Sequence, residues 1–179
     1  MKKYLYMIAA LFGIDYFCKE NIEAQKPEDF PRDMEKSYGK IRLYRNHNDG
    51  FCFGVKKEKK ELVRMVPVVF TSAAAGILTW LLCRDEGRKA DRIGFALITA
   101  GGLSNLYDRL KRGYVVDYFS IRCKYLEKVV FNLGDFFIFA GSALIAASDL
   151  LGTVRDLSSP AEDHIKALRL PWRKTDEAE

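Results

Sequence analysis

The chain has 179 residues, of which 49% are hydrophobic and 30% charged, and it carries a net charge of +5. A mean hydropathy of only -0.14 beside that hydrophobic share means that apolar and polar blocks are segregated along the chain, and the length suits one domain. The positive balance fits an anionic membrane surface or nucleic acid, but no zinc-finger spacing, RNA-binding aromatic-basic run or basic helix-turn-helix accompanies it, so nucleic acid is set aside. Four scattered cysteines without a C-x-x-C, and only two histidines, His47 and His164, offer no metal framework.

Residues 1–18 open with Lys2 and Lys3 and continue into an apolar run that ends at Ile14. The pattern resembles a cleavable leader, yet Asp15 sits within the segment and no small-x-small site follows, so an uncleaved membrane helix over about 4–18 is expected. Lys19 lies four residues after Asp15, on the same helix face, where the two can pair. Residues 20–62 are polar, with Pro27, Pro31 and a lysine- and glutamate-rich run at 56–61. Within them, alternation at Ile41 and Leu43, a turn at Asn48-Asp49-Gly50, and Phe51 and Phe53 beyond it predict a hairpin or small sheet over about 36–60.

Residues 65–83 contain no charge, close to the roughly 20 residues that cross a bilayer core, and Thr71, Ser72, Ala73, Ala74, Ala75 and Gly76 allow close helix packing in lipid. A second span is therefore expected over 63–83. Residues 84–92 form a short charged loop. A third uncharged run at 93–107, with Ala100-Gly101-Gly102, predicts a span over about 93–108, followed by a polar loop over 108–130. The fourth, again rich in alanine and glycine, is expected over about 134–152, and 155–179 reads as a polar tail.

Four spans place the N-terminal lysines, the 84–92 loop and the basic residues of 155–174 on one side, as the positive-inside rule requires. The expected architecture is an all-α integral membrane domain, residues 1–154, with four transmembrane helices and a small β-rich outer segment between helices 1 and 2. Both termini, and the tail from 155 onward, are cytoplasmic in this arrangement. On the outer face the same topology gathers Asp15, Asn105, Asp108, Asp117, Asn132 and Asp135 from three helices and a loop. Asn132 also suits a helix N-cap and Asp135 a first-turn acid. Carboxylates crowded at low dielectric do not all ionise, so one holds a proton while another stays charged, and together they can activate water. These segments contain no Ser-His or Cys-His arrangement and no phosphate-binding loop, which leaves peptide hydrolysis as the best-matched chemistry. Spacing alone does not rank Asp117 above Asp108.

The motifs resemble those of lipoprotein signal peptidase (signal peptidase II) along nearly the whole chain to about residue 151. They are Asp15 and Lys19; Asn48, Gly50 and Phe53; Gly101, Asn105, Asp108 and Arg109; Gly113, Val115, Val116 and Asp117; and Phe131, Asn132 and Asp135. Gly134 stands where the family usually has alanine. The resemblance implies a multi-pass enzyme of the bacterial cytoplasmic membrane, using no cofactor or metal. It would remove the signal peptide of a diacylglyceryl-modified prolipoprotein, cutting before the lipidated cysteine, with membrane lipid as its other partner. It implies Asp117 and Asp135 as the catalytic pair. Asp15, Lys19, Asn48, Gly50, Asn105, Asp108, Arg109 and Asn132 would bind substrate or support the pair. A non-catalytic relative that binds lipoproteins or lipid, and a small proton-coupled transporter, are the competing readings.

Overall fold

A computed structural model describes residues 1–50, 60–84, 87–124 and 126–168. Four helices carry this part of the chain: α1 (Lys2–Glu23), α2 (Lys60–Cys83), α3 (Lys89–Lys111) and α4 (Leu133–Leu168). Each covers one of the four expected spans and runs past it. Helix α4 continues well into the region expected to be tail, reaching Leu168.

Helix α3 is the centre of the bundle and packs against the other three. It can do so because its buried positions are small: Gly94, Ala96, Thr99, Ala100, Gly101, Gly102 and Ser104. A methyl group on Gly101 would lie 2.1 Å from the Gly134 carbonyl oxygen, and one on Gly141 would lie 2.5 Å from that of Gly94. The backbones of α3 and α4 therefore touch at two glycine pairs, Gly94 with Gly141 and Gly101 with Gly134. Both helices space their glycines seven residues apart, about two helical turns, so the helices run antiparallel along one seam. Gly102 faces the other way, where a methyl group would lie 2.5 Å from the Thr71 hydroxyl of α2.

Two helical stretches, Glu61–Cys83 and Leu133–Arg155, are long and apolar enough to cross a membrane, with mean hydropathies of 1.9 and 1.7. They turn large apolar side chains outward: Val69, Phe70 and Trp80 on α2, and Phe139, Leu150 and Leu151 on α4. Such a surface needs a non-aqueous partner. Among the described residues α1 and α3 do not pass the same test. Part of the reason is that Asp15, Lys19 and Asp108 depress the average although all three are buried, while α1 exposes Leu5, Tyr6, Ile14 and Phe17.

The hairpin or small sheet expected over about 36–60 contributes one described strand to a sheet that reaches beyond that segment. Strand β1 (Arg32–Asp33), β2 (Ile41–Asn48) and β3 (Val115–Ile121) form one antiparallel sheet in the order β1-β2-β3. The described partners of β2 are thus β1 and the segment between α3 and α4, which had been expected as loop. Asn46 pairs with Asp117 and Asn48 with Val115, with an irregularity between Leu43 and Asn46. The molecule is therefore mostly helical with a small three-stranded antiparallel sheet, which joins the segment between α1 and α2 to the segment between α3 and α4. Phe51, Phe53 and most of the lysine-rich run fall in 51–59, outside the described residues. Within β3, the N–H groups of Tyr118 and Phe119 donate to the Phe131 carbonyl at 2.9 and 3.0 Å, and Phe131 returns a bond to Phe119 at 2.7 Å. That bridge delivers the start of α4 to the side of β3.

Candidate active site

Asp117 lies in the middle of β3 and Asp135 in the first turn of α4, and both are buried. Asn132 links them. Its side-chain oxygen accepts the Asp135 backbone N–H at 2.9 Å, and Asp135 Oδ2 accepts the Asn132 backbone N–H at 3.3 Å. This is the reciprocal bonding of a capping box, which satisfies two N–H groups of the helix start. Because the Asn132 oxygen is committed to an N–H, its amide nitrogen must face the other way, and it donates to Asp117 Oδ1 at 2.8 Å.

The same logic orients two more amides. Asn48 Oδ1 accepts the Gly50 N–H at 3.0 Å, so its nitrogen donates to Asp117 Oδ2, also at 3.0 Å. Asn105 Oδ1 accepts from Lys19 Nζ at 2.9 Å, so its nitrogen donates to Asp135 Oδ1 at 2.8 Å. An ammonium and a backbone N–H are donors only, which fixes each amide without reference to the carboxylates. All four oxygens of the two carboxyl groups thus receive an N–H.

Asp117 and Asp135 line one cavity of about 30 Å³ together with Asn48, Asn105, Arg109 and Phe131. A water needs roughly 10–15 Å³ of such space, so the cavity lined by the two carboxyl groups has room for water. Arg109 Nη2 donates to the Gly50 carbonyl at 2.9 Å and ties the 48–50 turn down beside the cavity. Burial, and after it the neighbouring charge of Asp135, pushes the Asp117 carboxyl up to about 7, against the lowering effect of the Asn48 and Asn132 amides. A carboxyl that changes protonation near neutrality can act as acid or base there.

Asp15, Lys19 and Asp108 do not line that cavity. They form a closed ionic cluster behind it. Lys19, 0% exposed, places its ammonium 2.8 Å from Asp15 Oδ2 and 3.2 Å from Asp108 Oδ2. Asp108 also accepts the Val116 N–H at 3.1 Å and lies 3.3 Å from Arg112 Nε. The cluster includes two residues that sequence reasoning missed. Ser104 donates to Asp15 Oδ2 at 2.6 Å, and the Tyr118 hydroxyl donates to Asp15 Oδ1 at 3.0 Å. Ser104 was findable in principle, since it lies four residues before Asp108 and three after Gly101, on the buried face of α3. Nothing in the sequence marks Tyr118.

A second, larger space adjoins the carboxylates. A groove of about 480 Å³ runs between α2, α3 and α4, walled by Val66, Phe70, Ala74, Ile77, Ile98 and Ile138. Asn105, Arg109 and Asp135 line it as well. The site is therefore a water-sized polar chamber next to an apolar channel. Among the described residues no group of three or more His, Cys, Asp or Glu side chains is placed to hold a metal ion.

The chain is similar to known proteins over most of its length. Residues 7–151 match the family model of signal peptidase (SPase) II. A lipoprotein signal peptidase of Mesorhizobium japonicum is 30% identical over 157 residues, covering 87% of this chain and 90% of the relative. One from Brucella ovis is 34% identical over 116 residues, 65% of this chain and 71% of the relative. Two solved structures of bacterial membrane enzymes share the fold. One has a TM-score of 0.70 at 18% identity, covering 100% of this chain and 96% of the other. The second has a TM-score of 0.68 at 19% identity, covering 84% and 94%. The family match and the fold shared with membrane enzymes define the class as a membrane peptidase. The chain belongs to the signal peptidase II family.

Proposed function

We propose that the chain is an aspartic endopeptidase that removes the signal peptide from a diacylglyceryl-modified prolipoprotein, cutting before the lipidated cysteine, with Asp117 and Asp135 as the catalytic pair. The observation that carries this reading is the shared water-sized cavity, in which every oxygen of the two carboxyls has its own N–H donor. In the resting pair Asp117 holds the proton and Asp135 is charged, its carboxylate favoured by the chain of contacts from Lys19 through Asn105. The substrate carbonyl enters beside the cavity. Asp135 takes a proton from the water as the water oxygen bonds to the carbonyl carbon, and Asp117 gives its proton to the carbonyl oxygen. The tetrahedral diol then collapses: its hydroxyl returns a proton to Asp117 as the C–N bond breaks, and the amine leaves with the proton from Asp135. Asn48, Asn105 and Asn132 hold the two carboxyls in place throughout. Arg109 and Gly50 border the path of the substrate backbone, and Asp15, Lys19 and Asp108 support the pair from behind.

In this reading the apolar groove between α2, α3 and α4 receives the lipid-bearing end of the substrate, and membrane lipid surrounds the bundle. All four helices cross the bacterial cytoplasmic membrane as one unit spanning residues 1–154. The sheet and the carboxyls lie at the outer face, and the N-terminus and the 155–179 tail lie in the cytoplasm. The outward apolar surfaces of α2 and α4, and the burial of Asp15, Lys19 and Asp108 within the bundle, support that placement. The test is product identity. Purified enzyme in lipid, given a lipid-modified precursor, should release two peptides whose masses locate the cut immediately before the modified cysteine. Cleavage elsewhere, or equal cleavage of the unmodified precursor, would contradict the proposed substrate.

A further inference from the structure

The two carboxyls sit on different elements, so their separation is set by the joint between β3 and α4. Consecutive side chains of a strand point to opposite faces. Asp117 meets the start of α4 from one face of β3, through the Asn132 amide at 2.8 Å. Tyr118 meets it from the other face, where its hydroxyl accepts the Leu133 backbone N–H at 3.1 Å. Strand β3 therefore grips two successive residues, 132 and 133, from both of its sides. The grip is anchored to a third element: the Tyr118 hydroxyl donates to Asp15 Oδ1 of α1, and the Leu133 N–H also reaches that oxygen at 3.1 Å. The phenol is buried against Val116 and Ile22, with Cys18 and Leu133 packed around them.

We propose that Tyr118 is a positioning residue for the reaction: its hydroxyl, held by Asp15, fixes the first turn of α4 against β3 and so sets the spacing of Asp117 and Asp135. This rests on the reading of those two residues as the catalytic pair. A hydroxyl offers one proton, and here Asp15 receives it while Leu133 is accepted in return. Burial, and then the Asp15 charge, raise the ionisation of Tyr118 above the ordinary phenol range. The group therefore stays a phenol at working pH and exchanges no proton with substrate. The backbone bridge at Phe131 ends before this turn, and the Asn132 and Tyr118 side chains are what tie residues 132 and 133 to β3 itself.

The test is Tyr118→Phe, which keeps the ring and its packing and removes only the hydroxyl. Cleavage of a lipid-modified precursor is measured as kcat and KM from pH 5 to 9, with thermal unfolding in the same detergent. The expected result is a fall in kcat of about tenfold with KM changed by less than about twofold, since groups that act only on the reacting geometry alter kcat alone. The alkaline limb of the kcat profile should also move to lower pH, because a looser pair relieves the repulsion that Asp135 exerts on Asp117. An unchanged kcat and pH profile overturns the proposal. So does a loss of activity that merely follows a lowered Tm, with the pH profile in place, since that marks a structural role only. Wild-type enzyme and Asp117→Asn in the same assay report on the catalytic pair itself, so failure of the Tyr118 proposal is separable from failure of that reading.

Discussion

Asp117 is held in a setting that costs its charged form, and the sign of that cost is testable. Its carboxyl is raised from 3.8 to about 7, so between those pH values the folded chain binds a proton that the unfolded chain releases. Stability therefore falls as pH rises through that window and stays reduced above it. Asp117→Asn carries no such charge. Its Tm relative to wild type should climb from pH 4.5 to pH 7.5 and level off beyond, as thermal unfolding in detergent would show; a pH-independent difference would contradict the raised value. Lys19 is the opposite case, a buried cation whose partners cannot do without it. Lys19→Met leaves Asp15 without its ion partner, and losing one member of a buried pair costs about 3–5 kcal/mol. We expect a lowered Tm and a poor folded yield by size-exclusion chromatography, partly restored in Asp15→Asn/Lys19→Met because contacting residues are not additive. The four-residue spacing of Asp15 and Lys19 was legible in the sequence, and the 2.8 Å contact realises it. The Asn132–Asp135 cap was equally legible, because both are local patterns. Tyr118 was not, since its partners lie 103 and 15 positions away.

At the scale of elements, the four helices follow from apolar runs and small residues, while the sheet does not follow from local pattern. Strand β3, VVDYFSI, alternates a buried face toward the carboxyl cavity with a buried face toward α1. Alternation that is apolar on both faces gives no period-two signal. Its partner β2 is also distant, with 71 positions separating Asn46 from Asp117, so no turn between them announces the pairing. The α3–α4 seam is the element most sensitive to a single change. A methyl group at Gly101 would meet the Gly134 carbonyl oxygen at 2.1 Å, backbone that cannot swing aside. Gly101→Ala should lower stability by about 1–3 kcal/mol through overpacking and, by displacing the turn that carries Asp135, reduce turnover more than Gly102→Ala does. Gly102 would press mainly on a side chain, Thr71. Equal effects of the two substitutions would contradict a backbone seam beside the site. Gly134 is close-set on its own account: a methyl group there would lie 3.0 Å from Asn132 Oδ1 and 3.1 Å from Asp15 Oδ2. Its small size therefore fits the seam.

The whole molecule is a helical bundle with one polar end, where β2, β3 and the adjoining ends of α1, α3 and α4 converge on the carboxyls. Composition hinted at this through the segregation of apolar and charged blocks, and the interior use of Asp15, Lys19 and Asp108 contributes to the low hydropathy of α1 and α3. The proposed orientation puts Cys123, just past β3, outside, and Cys83, at the far end of α2, in the cytoplasm; both are exposed free thiols. In single-cysteine variants, a membrane-impermeant maleimide should label Cys123 in intact cells and Cys83 only after permeabilisation, and the reverse pattern would invert the topology. The most direct measurement is cleavage of a lipid-modified precursor by purified Asp117→Asn and Asp135→Asn enzymes, with folding checked by thermal unfolding. Loss of either carboxyl should lower kcat by about 10²–10⁴-fold or more, the range of acid–base contributions, with the fold intact. Near-normal turnover in either folded variant would contradict the assignment of Asp117 and Asp135 as the catalytic pair.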